Sequence, residues 1–234
     1  MSERQPIALK DADLLYKQLS TLSNAEIVVS LSGMNEAQKK SLVAHSRGGY
    51  CKLLKLLVDN CFFNRPESAD IGLENERLLI AALTMLETED FNIYDTNVGF
   101  DQYGLLNLAV TNLLSIPSRG NLGNLSVAHI AQRVSNIDQL TDPYELPMLS
   151  NYRRKTGELS RLMFAVIVGD INITKVLIDS GANLDLQNEL GYDCHHFAKA
   201  TMKLNPDFYR EFLAMMLNRD HQQLTSRTTQ RVSL

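Results

Sequence analysis

Part of the C-terminal half of this chain repeats itself at an interval of 33 residues. Leu162, Phe164 and Ala165 are followed at that spacing by His195, Phe197 and Ala198. A period of this length means that one short supersecondary unit is used again. Such a unit cannot bury its apolar face alone and needs a stacked neighbour. The first copy opens Arg161-Leu162-Met163-Phe164-Ala165-Val166 and turns at Gly169-Asp170. It continues Ile173-Thr174-Lys175-Val176-Leu177-Ile178 and closes Asp179-Ser180-Gly181-Ala182-Asn183. The second opens Gly191-Tyr192-Asp193-Cys194-His195-His196-Phe197-Ala198 in the same register.

Elsewhere the apolar spacing is helical. Leu14, Leu15, Leu19 and Leu22 share one helix face, as do Leu53, Leu54, Leu57 and Val58, and Leu78, Leu79, Ala82 and Met85. No long stretch alternates apolar with polar residues, so the expected class is all-α. Ser23 with Glu26, and Asn35 with Gln38, have capping-box spacing. Asn205-Pro206-Asp207 supplies a cap, a helix-starting proline and an acid in order.

The repeated unit resembles the ankyrin repeat. The family's G-x-T-P-L-H-x-A opening is echoed by Gly191, His196 and Ala198, and its second half from Gly169 to the Gly181-Ala182 close. Fainter echoes are Ser126-Val127-Ala128-His129-Ile130-Ala131, Arg77 to Ala82, and Gly49 to Asn60. The resemblance implies a helical-repeat solenoid of about five degenerate repeats, at 35–67, 68–120, 121–154, 155–187 and 188–222. The second carries an insertion around Glu87 to Tyr103. Residues 1–34 would form an N-terminal helical cap, and the polar stretch 223–234 a disordered tail. For the N-terminal half an unrelated helical repeat is the alternative. Gly181 falls where a left-handed cap residue is needed, so Gly181→Val is expected to destabilise the C-terminal half.

Composition narrows the function. The net charge of −4 lacks the basic footprint of a nucleic-acid binder. Three cysteines, Cys51, Cys61 and Cys194, make an odd set without close CxxC spacing. That fits a reducing, cytoplasmic setting rather than a disulfide framework or a zinc site. No apolar h-region opens the chain and no run approaches a membrane span.

Cys194, His195 and His196, with Asp193, form the densest cluster of reactive side chains. Neighbours on one helix point in different directions, however, and catalytic pairs usually meet across a fold. The family resemblance implies instead that His196, and His129 in its own repeat, are structural residues bracing the turns. His45 and Cys51 across Gly48-Gly49 read as a turn histidine and a half-buried thiol. Arg47-Gly48-Gly49 and Arg119-Gly120-Asn121-Leu122-Gly123 lack the strand and Lys-Ser/Thr of a phosphate cradle and read as turns. No HExxH, GxSxG or EF-hand pattern occurs.

Two boundaries carry the candidate partner-binding residues, because this family projects fingers there. Tyr152-Arg153-Arg154-Lys155 sets three cations beside an aromatic ring, able to grip an acidic peptide or to act simply as a solvated turn. The following finger carries Asn188, Glu189, Leu190 and Tyr192. Together they would offer opposite charges and exposed aromatics along one groove. The insertion, with Phe91, Ile93, Tyr94, Phe100 and Tyr103, either packs back on the solenoid or forms an apolar docking site. Val232-Ser233-Leu234 is a minimal terminal-carboxylate ligand.

The resemblance therefore implies a non-catalytic module that binds another protein through its concave face and finger tips. No cofactor, metal, nucleic acid or small-molecule substrate is expected. The alternative from a different class is an enzyme using Cys194 or Cys51 with a histidine. Small degenerate proteins of this family are also delivered into host cells by intracellular bacteria, which is a second possible setting.

Overall fold

The computed structural model describes residues 9–44, 51–62, 69–88, 91–96, 98, 104–115, 122–141 and 156–218. In chain order these form α1 (Leu9–Leu19), α2 (Asn24–Ser32), α3 (Glu36–Ala44), α4 (Lys52–Phe62) and α5 (Ala69–Leu86). A 3-10 turn (Ile93–Asp95) precedes α6 (Leu105–Leu114), α7 (Asn124–Ala131), α8 (Arg161–Val168), α9 (Ile171–Asp179) and α10 (Cys194–Thr201). A last helix, α11, covers 206–218. The expected all-α class is found: among the described residues no strand occurs, and extended pairing takes the form of isolated bridges such as those of Thr88 with Phe91 and Thr141 with Leu159.

Local chemistry starts these helices. Ser23 Oγ accepts from the Glu26 N–H (3.4 Å) while Glu26 Oε2 accepts from the Ser23 N–H (2.8 Å), completing the capping box before α2. The Ser23 hydroxyl also donates to Glu26 Oε2 (2.7 Å), and this bond, ahead of the one from the Ser23 N–H, holds the Glu26 carboxyl below its ordinary pKa. Asn35 and Gln38 make the same exchange at 3.0 Å each before α3. Asn205 Oδ1 accepts from the Phe208 N–H at 3.1 Å before α11. Ser160, Asp170 and Asp193 cap α8, α9 and α10 in the same way, through the N–H groups of Met163, Ile173 and His196.

Packing arranges the helices in two rows. In one, α3 touches α4, α4 touches α6, α6 touches α8 and α8 touches α10. In the other, α2 touches α5, α5 touches α7 and α7 touches α9. Across the rows, α4 packs on α5, α6 on α7 and α8 on α9. Helix α6 lies at the centre, and all its residues are buried, including Asn107, Thr111 and Asn112. Its polar side chains are bonded rather than stranded: Asn112 Nδ2 donates to Asp59 Oδ1 (3.0 Å) and Asn107 Nδ2 to Thr141 Oγ1 (3.2 Å). Helix α8 is also sunk in the core from Arg161 to Val166.

The close of α9 has the geometry expected for Gly181. Its φ is +99°, the Gly181 N–H donates to Ile178 O (3.0 Å) and the Ala182 N–H to Leu177 O (3.0 Å). Ala182 is then buried under the turn, which explains the small residue there. The insertion packs back where it is described. Ile93, Tyr94 and Val98 are buried, whereas Phe91 stays exposed. His45, Arg47 to Gly49, Phe100, Tyr103, Arg119 to Asn121 and 223–234 lie outside the described residues.

Candidate functional site: a keyed loop tip

The loop from α9 to α10 meets the segment leading into α8, and Asn188 joins them. Asn188 is 6% exposed, and its Nδ2 donates to Thr156 O and to Glu158 O (3.1 Å). Its Oδ1 accepts from the Leu190 and Tyr192 N–H groups, at 3.0 Å each. The backbone adds Asn188 N–H to Tyr192 O (3.0 Å) and Gly191 N–H to Asn188 O (2.9 Å). One amide side chain thus folds the 188–192 tip on itself and ties it to its neighbour, an Asx-type turn used as a key.

The finger residues have different fates. Both oxygens of Glu189 accept the Glu158 N–H (2.8 and 2.9 Å). Although exposed, this carboxylate closes the seam between loops rather than forming a free negative wall. Tyr192 is half-buried, its ring stacked on His196 with centroids 3.9 Å apart and 7° between planes, so it is not an open aromatic. Leu190 remains 47% exposed, with its backbone held by Asn188. Tyr152, Arg153, Arg154 and Lys155 lie outside the described residues. Thr156, next in sequence to Lys155, is buried, and its carbonyl is one of the Asn188 acceptors. Thr141 and Leu159 lie side by side, exchanging N–H···O bonds of 3.0 and 2.9 Å.

His196 and His129 contact aromatic side chains, and the three thiols are buried. His196 makes ring contacts with Tyr192 and Phe197. His129 does not repeat that arrangement, since its Nε2 lies 3.0 Å from the Tyr94 hydroxyl. Cys194 is buried, and burial, with Asp193 next in weight, raises its thiol pKa well above the ordinary range. Burial does the same to Cys51 and Cys61. At all three sites burial disfavours the thiolate. Among the described residues no group of three His, Cys, Asp or Glu side chains could hold a metal ion, and no helix is long and apolar enough to cross a membrane.

Sequence reasoning missed the importance of Asn188 and of Glu76. Asn188 stands three before Gly191, a turn signal that was legible. Glu76 is 1% exposed and accepts the Gly123 N–H (2.6 Å) and the Ser126 N–H (3.0 Å), capping α7 from a different helix. Its signal was a charge on the same helix face as Leu79 and Leu83. The chain was compared with protein-family models, curated proteins and solved structures, and none of them matches it.

Proposed function

We propose that this chain is a protein-binding module of stacked ankyrin-type helix pairs, acting through loop tips rather than by catalysis. The two rows of helices support the stacked reading, with pairs α4/α5, α6/α7 and α8/α9. This reading takes α8 and α9 as the unit 155–187. It redraws the earlier ones, because α7, read as the first helix of a unit beginning at 121, sits in the row of α5 and α9 and pairs with α6. The Gly181-Ala182 close supports the family reading at the α9 end. Three free, buried cysteines suit a reducing compartment.

The observation that carries the proposal is the keyed tip: an exposed leucine on a backbone fixed by Asn188, whose side chain also bonds the carbonyl of Thr156, the residue that follows the three cations in sequence. A fixed backbone loses little entropy on binding, which is what makes a small contact useful. The partner that suits it is a protein with an apolar side chain for Leu190 and an acidic stretch for Arg153, Arg154 and Lys155. The test uses a partner captured with the wild-type chain, whose affinity is then measured for variants. Leu190→Asp, and separately Arg153, Arg154 and Lys155 changed together to Glu, should each weaken binding by at least about tenfold, or 1.4 kcal/mol. Melting temperatures should stay within a few degrees of wild type. Undiminished affinity in both folded variants would remove the tips as the binding site.

A further inference from the structure

At the opposite end of α10 from the keyed tip, the turn into α11 is built differently from its counterpart in the preceding helix pair. Two residues, Gly169 and Asp170, connect α8 to α9, whereas 202–205 connect α10 to α11. The longer connection carries Leu204, 90% exposed, and Met202, 40% exposed. The backbone beneath them is fixed. The Met202 N–H donates to Ala198 O (3.1 Å), and the Leu204 and Asn205 N–H groups both donate to Thr201 O (2.9 Å each). Thr201 is buried, with its hydroxyl bonded to Phe197 O (2.9 Å), and Asn205 is held as the cap of α11. A lone exposed leucine is ordinary; what sets this one apart is the charge around it. In a chain of net charge −4, the stretch from Cys194 to Pro206 has no acid, while His195, His196, Lys199 and Lys203 are all exposed. Lys199 lies in the last turn of α10 and Lys203 adjoins Leu204. Among the described residues neither lysine is paired with an acid. The acids next in sequence are engaged, Asp193 in capping the far end of α10 and Asp207 with Arg210.

We propose that the α10–α11 turn docks on the surface of an anionic lipid bilayer, with Leu204 and Met202 entering the interface and Lys199 and Lys203 meeting the headgroups. Charges beyond about 10 Å are screened at ~0.1 M salt, so the local balance of the turn, not the net charge of the chain, decides the attraction. A protein partner would have to present a cavity shaped for Leu204, and such contacts centre on aromatic or arginine anchors, which the turn lacks. A bilayer needs no matching shape. It accepts aliphatic side chains at the boundary of the acyl region and attracts lysines on flexible stems. The keyed tip precedes the other end of α10, about 12 Å along the helix, so it stays separate from the lipid contact.

Cosedimentation of the full chain with vesicles tests this. The chain should ignore pure phosphatidylcholine, bind when about 30% of the lipid is phosphatidylserine, and release as salt rises from ~0.1 to ~1 M. Lys199→Gln and Lys203→Gln should each lower the partition coefficient about fivefold, and Leu204→Asp at least about tenfold. Leu125→Asp makes the same change at an exposed leucine of α7 and should leave the partition coefficient as it is. All four side chains lie on the surface, and circular dichroism should show each variant folded like wild type. Equal binding to both kinds of vesicle, binding to neither, or undiminished binding by folded Leu204→Asp overturns the proposal. So does a chain that ignores vesicles while Leu204→Asp weakens its hold on a captured protein, because the turn would then be a protein-docking surface.

Discussion

Asn188 shows how much of a surface feature can depend on one buried amide. Truncating it strands two backbone carbonyls and two N–H groups, those of Thr156, Glu158, Leu190 and Tyr192. Asn188→Ala should cost about 3 kcal/mol, or ~6–12 °C in melting temperature for a chain of this size. Calorimetry checks the figure, and a loss of under ~1 kcal/mol would mean that water replaces the bonds easily. Glycines make a second comparison at this scale. Gly181 and Gly123 both have positive φ, +99° and +87°. A Cβ on Gly181 meets nothing within 4 Å, whereas on Gly123 it would lie 1.9 Å from Leu113 Cδ1. Gly181→Ala should therefore cost only the backbone strain, about 1 kcal/mol. Gly123→Ala adds overpacking and should cost about 3 kcal/mol or more. Denaturant titration of the two variants tests that order.

At the scale of elements, α7 is instructive because its own cap position is a glycine with no side chain to offer. Its first N–H groups instead meet Glu76, a carboxylate placed where the helix dipole favours negative charge. Glu76→Ala should lose about 2–3 kcal/mol. Asp170→Ala, which removes an ordinary cap from α9, should lose about 1 kcal/mol. Finding the two equal in chemical denaturation would show that Glu76 is no more than a local cap. The contrast explains what could be read in advance. Helices and caps such as Ser23 with Glu26 were legible because their partners lie three residues apart. Glu76 reaches Gly123 and Ser126 across 47 and 50 positions, and no local pattern records that. The helix pairing across residue 121 escaped for the same reason: α7 carries the local motif of a first helix, while its neighbours α5 and α9 put it in the other row. At the loop tip, Leu190 was read only as part of a finger, and its exposure comes from the fold. The duties of Glu189 and Tyr192 depend on Glu158 and His196, which only the folded chain brings to them.

For the whole molecule, the distribution of thiols gives a simple readout. Cys51, Cys61 and Cys194 are all buried, and their pKa values are raised by that burial. Native protein should react with iodoacetamide far more slowly than unfolded protein, with all three sites labelling together once denaturant opens the core. Fast native labelling of Cys194 would revive an enzymatic reading. Cooperative labelling is expected because α6 is packed on α4, α7 and α8 at once and is covered on every side. The mutual bonds of Thr141 and Leu159 have a different consequence. They hold Thr141 and Leu159 together whatever the number of residues between them, and doubling the length of a flexible loop costs only about 0.6 kcal/mol in closure entropy. Sequence exchanged, gained or lost between these two anchors is therefore expected to give the chain a new specificity while the described helices stay as they are.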